Sequence, residues 1–134
     1  MEPLSLLAAR KKNTATRLSR SSKLFKTIIK AIQEKKGANI LSLDLRKIHE
    51  AVSDFFIICE ATNPQQVRAI GESIEEEVKK HCDELVYQHE GYQALQWVLI
   101  DYVNIVVHVM MPDTRKFYQL EEMWSDAPSE MHEG

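Results

Sequence analysis

The 134-residue chain has few of the residues from which easily recognised sites are built. It holds two cysteines, Cys59 and Cys82, and neither belongs to a Cys-x-x-Cys pair or a Cys/His cluster with zinc spacing. A disulfide framework is therefore not implied, and a reducing compartment is the simpler interpretation. The four glycines are not clustered, so no glycine-rich phosphate loop is present. No apolar run approaches the roughly 20 residues that a membrane-spanning helix needs.

The composition is that of a soluble globular protein with one domain. Hydrophobic residues make up 44% of the chain and charged residues 28%. The formal net charge of −3 hides an asymmetry, since residues 1–23 hold six basic residues and one acid. The remaining residues carry 11 basic and 19 acidic side chains. An acidic body disfavours a free nucleic-acid backbone as the main partner and suits a basic protein surface.

Three regions follow from the distribution of residue types along the chain. Residues 1–22 are rich in Ser, Thr, Ala, Arg and Lys, which predicts a mostly disordered extension. Two functional interpretations stay open for it, a mitochondrial import leader and a basic tail that contacts RNA phosphates. Residues 23–127 should form the folded domain. Residues 128–134 are a polar tail, and we expect the chain to fray from Ser125 onward.

Periodicity predicts an α/β domain with a mixed β-sheet flanked by helices. Thr62-Asn63-Pro64 is a strong helix start, with a capping residue followed by Pro in the first turn. In the last helix, Phe117, Leu120 and Trp124 should pack back onto the sheet. The predicted elements are helices over 23–36, 64–81 and 114–123, a short helical turn over 46–52, and strands over 39–45, 54–61, 85–89, 96–102 and 105–111.

Residues 97–111 are nearly all apolar, which predicts sheet core with Asp101 and His108 as exceptions. A turn at Val103-Asn104 would place Asp101 opposite Val106 and His108 opposite Leu99. One face of this hairpin then carries Trp97, Leu99, Asp101, Val106 and His108. Such a face suits protein binding, although helices could equally cover it as ordinary core.

Three other candidates have competing interpretations. A lone strand histidine such as His108 is more often a hydrogen-bonded structural residue than an acid, base or ligand. Arg115 could bond the hairpin acid or a partner, or be a solvated charge near a helix start. The carboxylates Asp44, Asp54 and Asp101 lie on three predicted strands and could converge on a metal ion. They could equally lie at strand ends, where they would cap turns or meet solvent.

Several segments, taken in order and spacing, resemble the ribosomal silencing factor family, also called Iojap-like. The match spans roughly residues 23–127. The segments are Ile-Leu-Ser-Leu-Asp-Leu-Arg at 40–46, Ser-Asp-Phe-Phe-Ile-Ile-Cys at 53–59, Gln-Val-Arg-Ala-Ile at 66–70, Trp-Val-Leu-Ile-Asp-Tyr at 97–102, Ile-Val-Val-His-Val-Met at 105–110, and Arg-Lys-Phe-Tyr-Gln-Leu-Glu-Glu-Met-Trp at 115–124.

The resemblance implies a fold similar to nucleotidyltransferases but without their catalytic residues, and this chain lacks a Gly-Ser followed by a paired Asp-x-Asp. It implies a non-enzymatic repressor of translation that needs no metal or cofactor. Such proteins bind the large ribosomal subunit through universal ribosomal protein L fourteen and sterically block joining of the small subunit. Mitochondrial relatives act in large-subunit assembly, and family members can form dimers.

Two departures from the family pattern stand out. Relatives usually have Gly-Asp at the hairpin turn, where this chain has Val103-Asn104, and a β-branched residue resists the positive φ of a tight turn. Relatives often have a small Gly/Thr/Ser segment after the second strand, where this chain has Glu-Ala-Thr-Asn-Pro at 60–64.

We therefore expect a cytoplasmic bacterial ribosome-binding protein, with no membrane contact and no sequence-specific nucleic-acid binding. The expected partner-binding residues are Trp97, Leu99, Asp101, His108, Arg115 and Tyr118. A homodimer is possible when the protein is free. The alternatives are an organellar, for example mitochondrial, large-subunit assembly factor and, less favoured, a metal-dependent nucleotidyltransferase that uses Asp44, Asp54 and Asp101.

Overall fold

The fold is a six-stranded mixed sheet with two long helices on one face. The structure, a computed structural model, describes residues 14–133, with side chains from residue 23 onward. Strand order is β3-β4-β5-β2-β1-β6, and only the β2–β5 pair is parallel. This confirms the predicted fold class. The elements are α1 Thr14–Glu34, β1 Ala38–Asp44, β2 Phe55–Glu60, α2 Pro64–Cys82, β3 Gln88–Glu90, β4 Trp97–Asp101, β5 Ile105–Met110, α3 Pro112–Tyr118, α4 Leu120–Met123 and β6 Ser129–His132.

Helices α1 and α2 cover one face of the sheet, here called the helix face. The apolar stripe of α1, which includes Leu24, Ile28 and Ile32, is fully buried against it. The Asn63 side chain caps α2 by accepting the N–H of Gln66 at 2.8 Å, as the local sequence predicts. In the described part of the chain, no helix is both long and apolar enough to cross a membrane.

Both ends of the described chain differ from the prediction. Helix α1 begins at Thr14, so residues 14–22 are helical rather than disordered, while residues 1–13 lie outside the described part. The polar tail does not fray, because β6 pairs antiparallel with β1 and places Met131 opposite Leu41. The predicted strand over 85–89 shortens to β3, and the predicted helical turn over 46–52 forms turns instead of a helix.

The opposite face of the sheet, here called the second face, is covered only in part. Its cover consists of residues 45–51 and 111–127, which bury Leu45, Ala51, Leu120 and Ala127. The predicted single helix over 114–123 is broken at Gln119, whose φ is 49°. Leu120 and Trp124 pack back as expected, but the prediction for Phe117 is wrong, since it is 79% exposed.

The β4–β5 hairpin has the predicted register, with Asp101 opposite Val106 and Leu99 opposite His108. Its turn is strained, because Val103 adopts a φ of 76°. Asp101 Oδ1 accepts the N–H of Val103 at 2.7 Å, and the N–H of Asn104 donates to the carbonyl of Tyr102 at 2.8 Å. The tight turn therefore forms despite the β-branched residue, held by the aspartate side chain.

Arg115 fastens α3 and α4 to the sheet. Its Nε donates to Glu121 Oε2 at 2.7 Å, and its Nη1 donates to the carbonyl of Asn39 at 2.7 Å and to Glu60 Oε2 at 3.3 Å. The side chain is buried, so these bonds act in a medium less polar than water. One guanidinium thus links the C-terminal segment to β1 and β2.

Replacing Val103 by glycine should stabilise the protein. Relief of a strained positive φ gains about 1–3 kcal/mol, and the added freedom of glycine in the unfolded chain costs about 0.5–1 kcal/mol. We expect V103G to raise the free energy of unfolding by about 1 kcal/mol in urea titrations followed by circular dichroism. The control is V52G, at an exposed position without a positive φ, which should give no gain. A V103G protein less stable than wild type would contradict the strain argument.

Loss of the Arg115 guanidinium should be costly. We expect R115M to lower the free energy of unfolding by about 2–4 kcal/mol, because two carboxylates and a carbonyl lose a buried donor. The matched variant is R46M, which removes an exposed pair with Asp44 and should cost less than about 1 kcal/mol. If both variants lowered the free energy of unfolding equally in the same titration, the buried bonds of Arg115 would not be what holds α3 and α4 on the sheet.

Candidate protein-binding site

An exposed apolar area lies where β4 meets the start of the C-terminal segment on the second face. It consists of Trp97, Leu99, Phe117 and Tyr118, here called the aromatic surface. The rings of Trp97 and Tyr118 have centroids 4.8 Å apart, and those of Phe117 and Tyr118 are 4.9 Å apart. Tyr118 is 49% exposed, while Trp97 and Leu99 are half-buried. A cluster of this type is typical of the centre of a protein interface.

Strand alternation and incomplete cover produce this surface. In β4, Val98 and Ile100 are buried on the helix face, which turns Trp97, Leu99 and Asp101 to the second face. Only the short strand β3 lies beyond β4, and all of its residues are exposed. The surface is therefore open at this end of the sheet.

His108 supports the surface from within and does not reach solvent. It is 3% exposed, and its ring lies 4.6 Å from that of Phe56. Trp97 Nε1–H donates to its Nδ1 at 3.1 Å. Since an indole N–H can only donate, Nδ1 accepts and Nε2 carries the proton. Burial lowers the pKa of His108 to about 3, so the ring is neutral near pH 7. Among the described residues, the buried Nε2 has no hydrogen-bond partner.

Asp101 and Arg115 both have partners within the chain. The Asp101 carboxylate holds the hairpin turn through Val103, and the residue is half-buried beside Leu99. Arg115 is buried, and its guanidinium binds Glu60, Glu121 and a backbone carbonyl. A direct contact with a partner through His108 or Arg115 is hard to reconcile with this burial. Both side chains position the surface, whereas Trp97, Leu99 and Tyr118 lie on it.

The sequence did not indicate that Phe117 and Met123 are exposed apolar side chains. Their exposed fractions are 79% and 66%. A prediction that treated residues 114–123 as one helix placed Phe117 toward the sheet. In the structure Arg115 is the buried residue of α3, and residues two apart on a helix point about 200° apart. The burial of Arg115 therefore turns Phe117 outward. No local signal marks this choice, since an arginine is seldom buried.

The three carboxylates considered for a metal do not form a site. Asp44 accepts hydrogen bonds from Arg46 Nε at 2.9 Å and Nη2 at 2.8 Å. Hydrogen bonding with the Arg46 side chain is the main reason why the pKa of Asp44 is lowered. Asp101 binds the hairpin backbone. Across residues 14–133, no three His, Cys, Asp or Glu side chains are placed to hold a metal ion. Burial also raises the pKa of the Cys59 thiol to about 12, which makes it a poor nucleophile.

A family model and several bacterial relatives point to one family. Residues 18–133 match the family described as "Ribosomal silencing factor during starvation". The chain is 34% identical over 114 residues to the "Ribosomal silencing factor RsfS" of Halalkalibacterium halodurans, which covers 85% of this chain and 96% of that protein. It is 36% identical over 105 residues to the protein of the same name from Bacillus subtilis, which covers 78% and 87%.

A crystal structure of a Chromobacterium violaceum protein shares the fold. Its TM-score is 0.73 at 28% sequence identity, and the match covers 84% of this chain and 92% of that one. A more distant relative is the mouse protein named "Mitochondrial assembly of ribosomal large subunit protein 1". It is 30% identical over 76 residues, which covers 54% of this chain and 33% of that protein. Because the family match takes in residues 18–133 and two bacterial relatives exceed 30% identity over most of the chain, this protein belongs to the family of ribosomal silencing factors.

Proposed function

We propose that this protein binds the large ribosomal subunit through universal ribosomal protein L fourteen and blocks joining of the small subunit. The observation that supports this most is the aromatic surface, an exposed apolar area that no part of the described chain covers. Phe117 and Tyr118 are the exposed members, and Trp97 with Leu99 forms the sheet side. Aromatic side chains of this kind dominate the binding energy of many protein interfaces.

The charges around the aromatic surface suit a basic partner. Glu90 and Asp101 lie on the second face beside Leu99, while Asp113 lies in the first turn of α3 and Glu122 in α4. Residues 37–133 as a whole carry seven basic and 18 acidic side chains. An apolar centre with an acidic rim favours a basic ribosomal protein, and the charges would mainly accelerate the encounter.

The mechanism is steric and needs no chemistry by this chain. A chain of 15.5 kDa bound at the subunit interface occupies space that the small subunit needs. The protein is thus a non-enzymatic translational repressor that works without a cofactor when nutrients are scarce, in the bacterial cytoplasm. Its aromatic surface could also pair two free copies, and large-subunit binding would then separate them.

A second candidate function is large-subunit assembly in an organelle, for example the mitochondrion. The name of the mouse relative supports it, although that relative is matched over only part of its length. Both functions use the same contact with the large subunit. They differ in whether the protein acts on finished subunits or on their precursors.

Co-sedimentation with purified large subunits tests the contact. We expect the F117A/Y118A double variant to bind about 10–100-fold more weakly than wild type, because truncating anchor residues typically costs 1–3 kcal/mol. Both side chains are largely exposed, so folding should be preserved. The matched control is M131A, an exposed apolar side chain on the same sheet face but four strands from β4, which should bind normally.

Adding small subunits to the sedimented complex tests the steric mechanism. Wild type should reduce the fraction of joined ribosomes, and F117A/Y118A should not at the same concentration. Unchanged binding by the double variant would reject the aromatic surface as the contact. Normal binding without any effect on joining would instead favour the assembly function.

A further inference from the structure

Helix α1 carries a basic stripe on the side of the molecule opposite the aromatic surface. Five basic residues and one acid, Glu34, lie in α1, and Lys35 and Lys36 follow it. Residues 37–133, by contrast, carry seven basic and 18 acidic side chains. Lys23, Lys26 and Lys30 are exposed and line a groove of 240 Å³ between α1 and α2. Within residues 23–133, none of these three lysines forms an ion pair.

The lysines do not serve the stability of the helix. Helix α1 has no acidic residue in its first turn and no basic residue in its last, so its terminal turns lack the charges that the helix dipole favours. Lys26 and Lys30 are four residues apart, a spacing at which like charges repel. Lys30 precedes Glu34 by four residues, which is the weaker orientation of an ion pair.

The groove also contains two acids, Glu34 of α1 and Glu77 of the neighbouring helix, and neither forms an ion pair with the three lysines within residues 23–133. The start of α2 lies beside the end of α1, where Gln66 Nε2 donates to the carbonyl of Lys35 at 3.0 Å. Three of the four acids of α2 have partners of their own. They are Glu72 with Arg68 at 3.8 Å, Glu75 with His89 at 2.7 Å, and Glu77 with His81 at 3.1 Å. Three lysines against two acids leave a net positive charge along this groove, which favours the binding of an anion.

We propose that this groove binds the phosphate backbone of double-stranded RNA, without base specificity. A single strand would need exposed aromatic rings for base stacking, and no Phe, Tyr or Trp lines the groove. A membrane surface would need an exposed apolar stripe on α1, but Leu24, Ile28 and Ile32 are buried in the core. Three lysines spaced along one helix instead suit successive phosphates.

The position of the groove makes this binding independent of the proposed contact with a ribosomal protein. The sheet lies between them, because α1 covers the helix face and the aromatic surface lies on the second face. Both surfaces are therefore accessible at the same time. The many acidic side chains on the rest of the molecule repel RNA. We therefore expect RNA binding to be confined to this groove.

Fluorescence anisotropy with a labelled RNA duplex of about 20 base pairs tests the proposal on the full chain, without ribosomes. We expect K23Q/K26Q/K30Q to weaken binding at low salt by about tenfold or more. The slope of log K against log salt should also become shallower by about 2–3, since each phosphate contact contributes about 0.9. The matched control K47Q/K79Q/K116Q removes the same charge at exposed positions that do not line the groove, and should bind almost as wild type.

Three results would overturn the proposal. They are absence of RNA binding by wild type, equal loss in the two triple variants, and sedimentation of wild type with anionic phospholipid vesicles but not with RNA. F117A/Y118A should bind RNA normally, so failure of the groove and failure of the aromatic surface are distinguishable. Circular dichroism of each triple variant checks that α1 remains folded, because all six substituted side chains are exposed.

Discussion

The two faces of the sheet are covered unequally, and this constraint shapes the rest of the molecule. The central strand β5 is buried along its whole length, so both faces need cover. Helices α1 and α2 seal one face with continuous apolar stripes. Short segments, residues 45–51 and 111–127, cover the other face only in part and leave Leu99 and much of Trp97 on β4 without full cover. Apolar residues that alternation places on β4 therefore remain partly in solvent, where a second protein can complete their burial.

The polar residues of the second face make this incomplete cover stable. His108 accepts the indole N–H of Trp97 and stays neutral, so the indole is anchored to the sheet without a buried charge. Arg115 fixes α3 through three acceptors and thereby sets Tyr118 over Trp97. Asp101 holds the adjoining hairpin turn. The residues that looked most reactive in the sequence thus support the surface and carry no chemistry of their own.

The sequence predicted those structural features that depend on residues close to one another in the chain. The turn predicted at Val103-Asn104 gave the hairpin register, and the two-residue period of a strand then placed Trp97 and Leu99 on one face. The break at Gln119, the outward turn of Phe117 and the strand at residues 129–132 were not predictable in this way. Each depends on contacts distant in sequence, namely the burial of Arg115 against residues 39 and 60 and the pairing of β6 with β1. Three members of the aromatic surface, Trp97, Leu99 and Tyr118, could therefore be named from the sequence, whereas Phe117 could not.

The orientation of the protein on the large subunit tests the central claim most directly. An electron cryomicroscopy reconstruction of the purified large subunit with this chain bound would show which face meets the ribosomal protein. The account predicts density beside universal ribosomal protein L fourteen, with β4 and α3 in contact and the body projecting into the space of the small subunit. A complex that contacts the ribosomal protein through α1 and α2, with the aromatic surface in solvent, would contradict it.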